Sequence, residues 1–196
     1  MKKLTALDLS YGAIFIGLMA IGANITVWLP FLAIPIAGVS VPLSMQTFFS
    51  ILAGLLLGKR LASWTMTSYL IIGLIGVPVY ANMQSGPAPF FGYTGGFLFS
   101  FIVVAFVTGA LIENISKITL GHSITVALTG VLINYLIGVT YMYISMNTWL
   151  GLEVSYGAAW LSMFPFLIKD LGFAVIAGTA LLKISSHLPS LHQRAS

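Results

Sequence analysis

The sequence has very little charge for its length. Of its 196 residues, 6% are charged and 59% are hydrophobic, and no Asp, Glu, Lys or Arg occurs between Asp8 and Lys59 or between Arg60 and Glu113. A soluble domain cannot expose so few charged side chains. Each uncharged stretch has about 50 residues and one membrane span needs roughly 20, so each should contain two helices and a turn. We predict an all-α, polytopic membrane protein.

The chain also has no cysteine, which excludes disulfides, thiolate metal sites and cysteine nucleophiles. Its four carboxylates are dispersed, and neither a Gly-x-Ser-x-Gly elbow nor a His-Glu-x-x-His pair is present. The segment from Gly54 to Arg60 has the wrong glycine spacing for a phosphate loop and Arg where Ser or Thr is needed. His187 and His192 have no acidic neighbour and indicate a solvated tail. We predict neither an enzyme nor a cofactor-binding protein.

The basic residues are interpreted as topology signals. Eight of them, with a formal net charge of +4, are too few and too scattered to bind nucleic acid. All except Lys169 fall on one side of the predicted spans, and the positive-inside rule makes that side, with both termini, cytoplasmic. These residues are Lys2, Lys3, Lys59, Arg60, Lys117, Lys183 and Arg194.

The apolar segments predict six transmembrane helices. Their bounds are residues 8–29, 43–58, 61–77, 94–114, 121–146 and 157–184. The first is too long for the core of a signal peptide, so we expect it to remain as a helix. The connection from Leu29 to Pro42 contains too much proline and glycine for a regular helix. No internal repeat is evident, and residues 1–196 are predicted to form a single integral membrane domain.

The longest irregular segment, Pro78 to Gly92, is an outer loop between the third and fourth predicted helices. It is rich in proline, glycine and aromatic residues. Irregular backbone near a membrane needs cover from protein or water for its amides and carbonyls, which favours a loop folded over a cavity. An interfacial loop that carries an aromatic belt is the alternative.

Lys169 and Asp170 lie within the last predicted helix, about 12 residues and roughly 18 Å from its outer end. Ionised groups at membrane depth are costly and usually functional. Adjacent helical residues point about 100° apart, so a mutual salt bridge is the less natural arrangement and each should find its own partner. The pair could stabilise helix packing. The functional hypothesis is a ligand with an anionic end for Lys169 and N–H donors for Asp170.

Other polar residues at the outer ends of the predicted spans are further candidates for the same ligand. Taken singly, each is more typical of a packing residue. They are Gln46, Thr47, Asn82, Gln84, Tyr93, Thr94, Asn134 and Tyr143.

The first helix carries small residues at helical spacing. Ala13 and Gly17 are four apart, and Gly12, Ala20 and Ala23 extend the same set. Small residues at this spacing allow another helix to approach closely, either within the bundle or from a partner protein. The spacing alone leaves both possibilities open.

Three stretches together resemble the BioY family, the biotin-specific S components of energy-coupling factor transporters. They are VPLSMQTF at 41–48, which continues into LAGLLLG at 52–58; GLIGVPVYA at 73–81, which is followed by GYTGGF at 92–97; and PFLIKD at 165–170. The resemblance implies a bacterial plasma-membrane subunit that captures biotin outside the cell. It also implies that the subunit docks on a transmembrane coupling protein, the T component, which two cytoplasmic ATPases drive.

The resemblance also implies roles for individual residues. Asp170 would accept from the ureido N–H groups of biotin, Asn82 would bond the same ring, Tyr93 would cover the thiophane ring and Lys169 would hold the carboxylate. Gln46, Gln84, Thr94 and Tyr143 are predicted as further contacts, and Ala13 with Gly17 matches the docking motif of such subunits.

The last stretch departs from the pattern of many relatives, in which a glycine precedes the acid and a lysine follows three residues later. Here Lys169 takes the glycine position and Phe173 the lysine position. Lys169 could therefore hold the carboxylate from another angle, or pair with Asp170 or the loop in the empty state. A solitary secondary transporter is the alternative function, and it would need an ion-coupling site and usually inverted repeats.

Overall fold

The structure is a computed structural model that describes residues 5–29, 33–36 and 39–187. Lys2, Lys3, His192 and Arg194, which the sequence placed in flanking segments, lie outside the described residues. The helices are α1 Ala6–Ala23, α2 Ile25–Trp28, α3 Gln46–Leu74, α4 Ala88–Phe91, α5 Gly95–Glu113, α6 Leu120–Thr148 and α7 Tyr156–His187. A short 3-10 turn covers Ala81–Met83, and two strands are formed by β1 Ala33–Ile36 and β2 Val39–Pro42.

Four of these helices, α1, α5, α6 and α7, are long and apolar enough to cross a membrane. Their length and composition confirm the prediction of a multi-pass helical membrane protein. The bounds of α5, α6 and α7 agree with the predicted segments to within three residues. They are set by the length of the apolar runs, which the sequence displays directly.

The second and third predicted helices appear as the two halves of α3. Gly58 interrupts the helix with φ 76° and ψ 166°, a left-handed φ that glycine adopts without a steric penalty. The chain reverses there, as shown by the hydrogen bond that the Gln46 side chain donates to the Tyr69 hydroxyl at 2.8 Å. In a continuous helix those two residues would lie about 34 Å apart. The turn predicted at Gly58 is therefore present.

The segment between α1 and α3 differs from the predicted layout. The first helix ends at Ala23 instead of continuing to residue 29, and Asn24 separates it from α2. Between α2 and α3, β1 and β2 form an antiparallel hairpin in which Ala33 pairs with Pro42 and Ile36 with Val39. Strand pairing depends on which two segments meet in the fold. The local composition of an irregular, apolar, proline-rich segment does not predict it. This hairpin qualifies the all-α prediction.

The bundle packs around α3, which contacts α1, α5, α6 and α7, while α6 lies between α5 and α7. Glycines allow the closest approach. A Cβ added at Gly109 of α5 would lie 2.3 Å from the backbone nitrogen of Lys59. At the same place Glu113 accepts from the Lys59 N–H at 2.8 Å and pairs with its ammonium at 3.1 Å. These contacts fix the turn of α3 against the end of α5.

Candidate functional site

A cavity of about 320 Å³ lies at the end of the bundle where α3 begins and ends. This volume is within the range of small-molecule binding sites. The loop 78–94 and helices α3, α5, α6 and α7 all contribute to its wall. Nine of the ten candidate ligand residues line it: Gln46, Thr47, Asn82, Gln84, Tyr93, Thr94, Asn134, Lys169 and Asp170.

Lys169 and Asp170 form an ion pair in the cavity wall, with 2.9 Å between Nζ and Oδ1. The prediction that a mutual salt bridge is the less natural arrangement was wrong. Although the two side chains leave α7 in different directions, the flexible four-carbon stem of Lys169 carries its ammonium back to the carboxylate. The Asp170 side chain is 4% exposed, and a carboxylate at that depth needs a nearby cation.

Each member of the pair also has a partner on another helix or loop, as predicted. The Lys169 ammonium donates to the backbone carbonyl of Ser44, just before α3. The Tyr135 hydroxyl on α6 donates to Asp170 Oδ2 at 2.8 Å. The pair therefore connects α7 to the start of α3 and to the middle of α6.

The other carboxylate oxygen, Asp170 Oδ1, is buried and makes no hydrogen bond to the described residues. The Lys169 ammonium is close enough for an ion pair but is not aligned for a hydrogen bond. A carboxylate oxygen has two lone pairs, so Oδ1 can accept from a further donor while the ammonium lies beside it. The site is therefore suited to a ligand that presents an N–H group.

Two predicted polar residues already use their hydrogen bonds within the fold. Gln46 accepts from the Ser44 hydroxyl at 3.0 Å and donates to Tyr69, whose hydroxyl donates to the Val79 carbonyl at 2.9 Å. Asn134 donates to the Thr47 hydroxyl at 3.2 Å and accepts from a serine of α5. These contacts hold α3, α5, α6 and the loop in register around the cavity.

The loop is anchored by its aromatic residues. The Tyr80 hydroxyl donates to the Leu70 carbonyl at 2.5 Å, and its ring packs edge-on against Tyr69 and Phe90. Burial raises the pKa of Tyr80 to about 12, and burial also raises the pKa of Tyr93. Both phenols therefore remain protonated at physiological pH. Tyr80 and Tyr93 line the cavity as neutral aromatic groups.

The short helix α4 is held from outside by two donors from the end of α6. The Tyr141 hydroxyl donates to the Phe90 carbonyl at 2.5 Å. The Trp149 indole N–H donates to the Phe91 carbonyl at 2.6 Å. Both acceptors are in the last turn of α4, where carbonyls have no partner within the helix. The loop above the cavity is therefore attached at both α3 and α6.

Tyr143 is the predicted ligand residue that lies outside the cavity lining. Its ring packs edge-on against Tyr156 with centroids 5.5 Å apart, so it connects α6 to the start of α7. On α6 it is two turns beyond Tyr135, which does line the cavity. Whether a tyrosine of α6 lines the cavity depends on its position along the helix, which the sequence predicts only approximately.

The sequence reasoning missed Tyr135 and the apolar part of the wall. Tyr135 follows Asn134, already a candidate, and an acid at membrane depth needs a donor from a neighbouring helix, so this signal was available. The apolar lining is less accessible to prediction, because these residues look like any others in a hydrophobic helix. It includes Leu98, Phe97, Phe101, Met163 and Phe166.

Comparison with known proteins identifies the family. The profile described as the BioY family matches residues 1–190. The chain belongs to the BioY family. The BioYB protein of Bacillus subtilis is 44% identical over 89% of this BioY chain and 86% of its own length. The biotin transporter BioY of Thermotoga maritima is 32% identical over 87% of this chain and 91% of its own length.

A solved structure shares the BioY fold. It is the crystal structure of the S-component for biotin from an ECF-type ABC transporter, with a TM-score of 0.79 and 22% identity. The alignment covers 94% of this BioY chain and 95% of the other. The resemblance inferred from the three sequence stretches is thus confirmed at the level of family and fold.

The small residues of α1 in this BioY chain separate into two groups. Gly12 and Ala23 are buried, and a Cβ at Gly12 would lie 3.2 Å from the Thr65 hydroxyl. Ala13 and Gly17 are exposed, and no described atom lies within 4 Å of a Cβ built at Gly17. The bundle therefore uses one part of the small-residue surface and leaves the other open.

Proposed function

We propose that this BioY-family chain is the biotin-binding S component of an energy-coupling factor importer in a bacterial plasma membrane. The observation that carries the proposal is Asp170 Oδ1, a buried acceptor without a hydrogen bond in the described structure, beside the cation of Lys169 in a cavity of about 320 Å³. Biotin has two ureido N–H donors and a carboxylate, and these groups complement that pair.

The chemistry of the cavity suggests how biotin is held. Asp170 accepts from a ureido N–H group, and Asn82 bonds the same ring from the loop. Tyr93 and the phenylalanines of the wall cover the thiophane ring, where apolar contact is favourable. Lys169 turns towards the carboxylate of the ligand and pairs with it, while hydrogen bonds from the ureido N–H group and from the Tyr135 hydroxyl stabilise the Asp170 carboxylate. Gln46, Gln84 and Thr94 complete the polar rim, and no resident cofactor takes part.

The proposed topology is a single integral membrane domain with six spans, in which the halves of α3 are the second and third. Each half is shorter than the roughly 20 residues of a typical span, so flanking segments complete the crossing. Both termini are cytoplasmic by the positive-inside rule, and the cavity opens outside the cell. The T component docks on the exposed surface at Ala13 and Gly17, and two ATPases bind the T component from the cytoplasm.

The family membership agrees with the prediction that the chain is not an enzyme. A solitary secondary transporter of biotin is the second candidate. One observation favours it: a pair of ionisable residues at membrane depth is also what proton-coupled transporters use. Against it, the sequence contains no evident inverted repeat. Uptake of biotin into proteoliposomes that contain this chain alone, driven by a proton gradient, would favour the second candidate.

Calorimetric titration of biotin into the purified, detergent-solubilised chain tests the proposed function. We expect tight one-to-one binding. Biotin methyl ester should bind more weakly because Lys169 loses its anionic partner, whereas biotin methylated at a ureido nitrogen should bind far more weakly still. If biotin gives neither heat nor a change in tryptophan fluorescence, the family fold does not bind biotin here and the proposal is wrong.

A further inference from the structure

Asn24, between α1 and α2, lies outside the cavity lining and is 2% exposed. Both ends of its side-chain amide are used. Nδ2 donates to the Ala20 carbonyl at 2.9 Å, and Oδ1 accepts from the Met83 N–H at 2.6 Å. The first bond is local to α1. The second connects the α1–α2 junction to a turn 59 residues further along the chain.

That turn has an unusual backbone. Asn82 has φ 58° and Met83 has φ 57°, so two consecutive residues with side chains lie in the left-handed region. Asparagine visits this region comparatively readily, whereas methionine does so rarely. Such a conformation persists only where the surroundings determine it. The Asn24 side chain accepts from the backbone N–H of Met83, the residue for which the positive φ is less favourable.

The start of the turn is held from the opposite side. The Tyr80 hydroxyl bonds the Leu70 carbonyl, and the Tyr80 N–H bonds the Gln84 carbonyl at 3.1 Å. Asn82, which lines the cavity, lies between this anchor and the bond from Asn24. The direction in which Asn82 presents its amide therefore depends on both attachments.

We propose that Asn24 is a positioning residue for the cavity: by bonding the Met83 N–H, it maintains the left-handed turn that presents Asn82 to the ligand. This inference rests on the proposed function, in which that ligand is biotin. Asn24 makes no contact with biotin itself. Its effect on affinity passes through the backbone of the turn and the side chain of Asn82.

A double-mutant cycle between Asn24→Ala and Asn82→Ala tests the proposal, with biotin affinity measured by calorimetry. We expect Asn24→Ala alone to weaken binding about tenfold, the ratio that corresponds to a typical hydrogen bond left unmade. Where Asn82→Ala is already present, adding Asn24→Ala should change affinity by less than about twofold, because residues that act as a unit are non-additive. A merely structural role for Asn24 predicts the same loss in both backgrounds.

A second pair of variants separates the turn from the helix. Asn24→Ser keeps a hydroxyl that can bond the Ala20 carbonyl but is too short to reach Met83, so it should weaken binding as much as Asn24→Ala. Met83→Gly should reduce the loss that either Asn24 variant causes, because glycine adopts positive φ without steric cost. Neither result is expected if Asn24 only stabilises the end of α1.

Thr26→Val is the matched control at the same junction. Thr26 is buried in α2, and its hydroxyl has no hydrogen-bond partner among the described residues, so removing it should leave biotin affinity unchanged. If wild-type protein binds biotin and both Asn24 variants bind it equally tightly, the inference alone is overturned. Equal losses with and without Asn82→Ala overturn it as well. Wild-type protein that does not bind biotin overturns the proposed function and the inference together.

Discussion

The ion pair of α7 predicts a specific pattern of stability changes. Removing one member of a buried pair costs about 3 to 5 kcal/mol because the other charge is left without its partner. In Lys169→Met, Asp170 is 4% exposed and keeps only the hydroxyl of Tyr135 as a partner. We therefore expect the free energy of unfolding to fall by about 3 kcal/mol, the lower limit of that range. In Asp170→Asn, the remaining lysine is 21% exposed and keeps the Ser44 carbonyl, which reduces the expected loss to about 2 kcal/mol.

The double variant Lys169→Met/Asp170→Asn removes both charges. Replacing a whole buried ion pair is often neutral, so we expect its stability to lie within about 1 kcal/mol of wild type. Thermal unfolding in detergent, followed by tryptophan fluorescence, measures the series. A chain of this size shifts by about 2 to 4 °C per kcal/mol, so Lys169→Met should unfold roughly 6 to 12 °C below wild type. If the losses of the single variants add in the double variant, the two residues do not form the pair described.

Three further predictions concern contacts around the cavity and near the turn of α3, at the other end of the bundle. Tyr135→Phe removes the donor to Asp170 and should lower stability by about 1.5 to 3 kcal/mol, measured by the same thermal unfolding. Glu113→Gln removes the anionic partner of the half-exposed Lys59 ammonium but keeps an acceptor for the Lys59 backbone N–H, so stability should fall by under about 1 kcal/mol. Glu113→Ala removes both contacts and should lower stability further. Gly54→Ala would place a Cβ 2.7 Å from a backbone carbonyl of α5. We expect about 1 to 3 kcal/mol of destabilisation, and an unchanged unfolding temperature would contradict the close packing.

The parts of the fold that the sequence predicted are those that depend on local composition. The lengths of α5, α6 and α7 follow from continuous apolar runs, and the reversal in α3 follows from Gly58 beside two basic residues. The end of α1 at Asn24 and the hairpin were not predicted. Asn24 is surrounded by apolar residues in the sequence, and its bond to Met83 spans 59 residues. No local pattern contains that contact.

The same distinction applies to the candidate site. Lys169 and Asp170 were identified because charge is rare in the helices, and the residues of the 78–94 loop because the loop is irregular. Tyr135 was missed although it follows a polar candidate, because an aromatic residue in an apolar helix resembles any packing residue. The left-handed backbone at Asn82 was not visible, since asparagine in a loop adopts many conformations. Polarity marked the site, and tertiary contacts determined how its residues are arranged.

The most direct test of the central claim is the affinity of Asp170→Asn for biotin, measured by calorimetry beside wild type and Glu113→Gln. The control makes the same carboxylate-to-amide change far from the cavity. We expect wild type and Glu113→Gln to bind biotin alike. Asp170→Asn should bind more weakly by about 2 to 5 kcal/mol, because a buried hydrogen-bonded charge is lost. If folded Asp170→Asn bound biotin as tightly as wild type, Asp170 would not be the acceptor and this account of the site would be wrong.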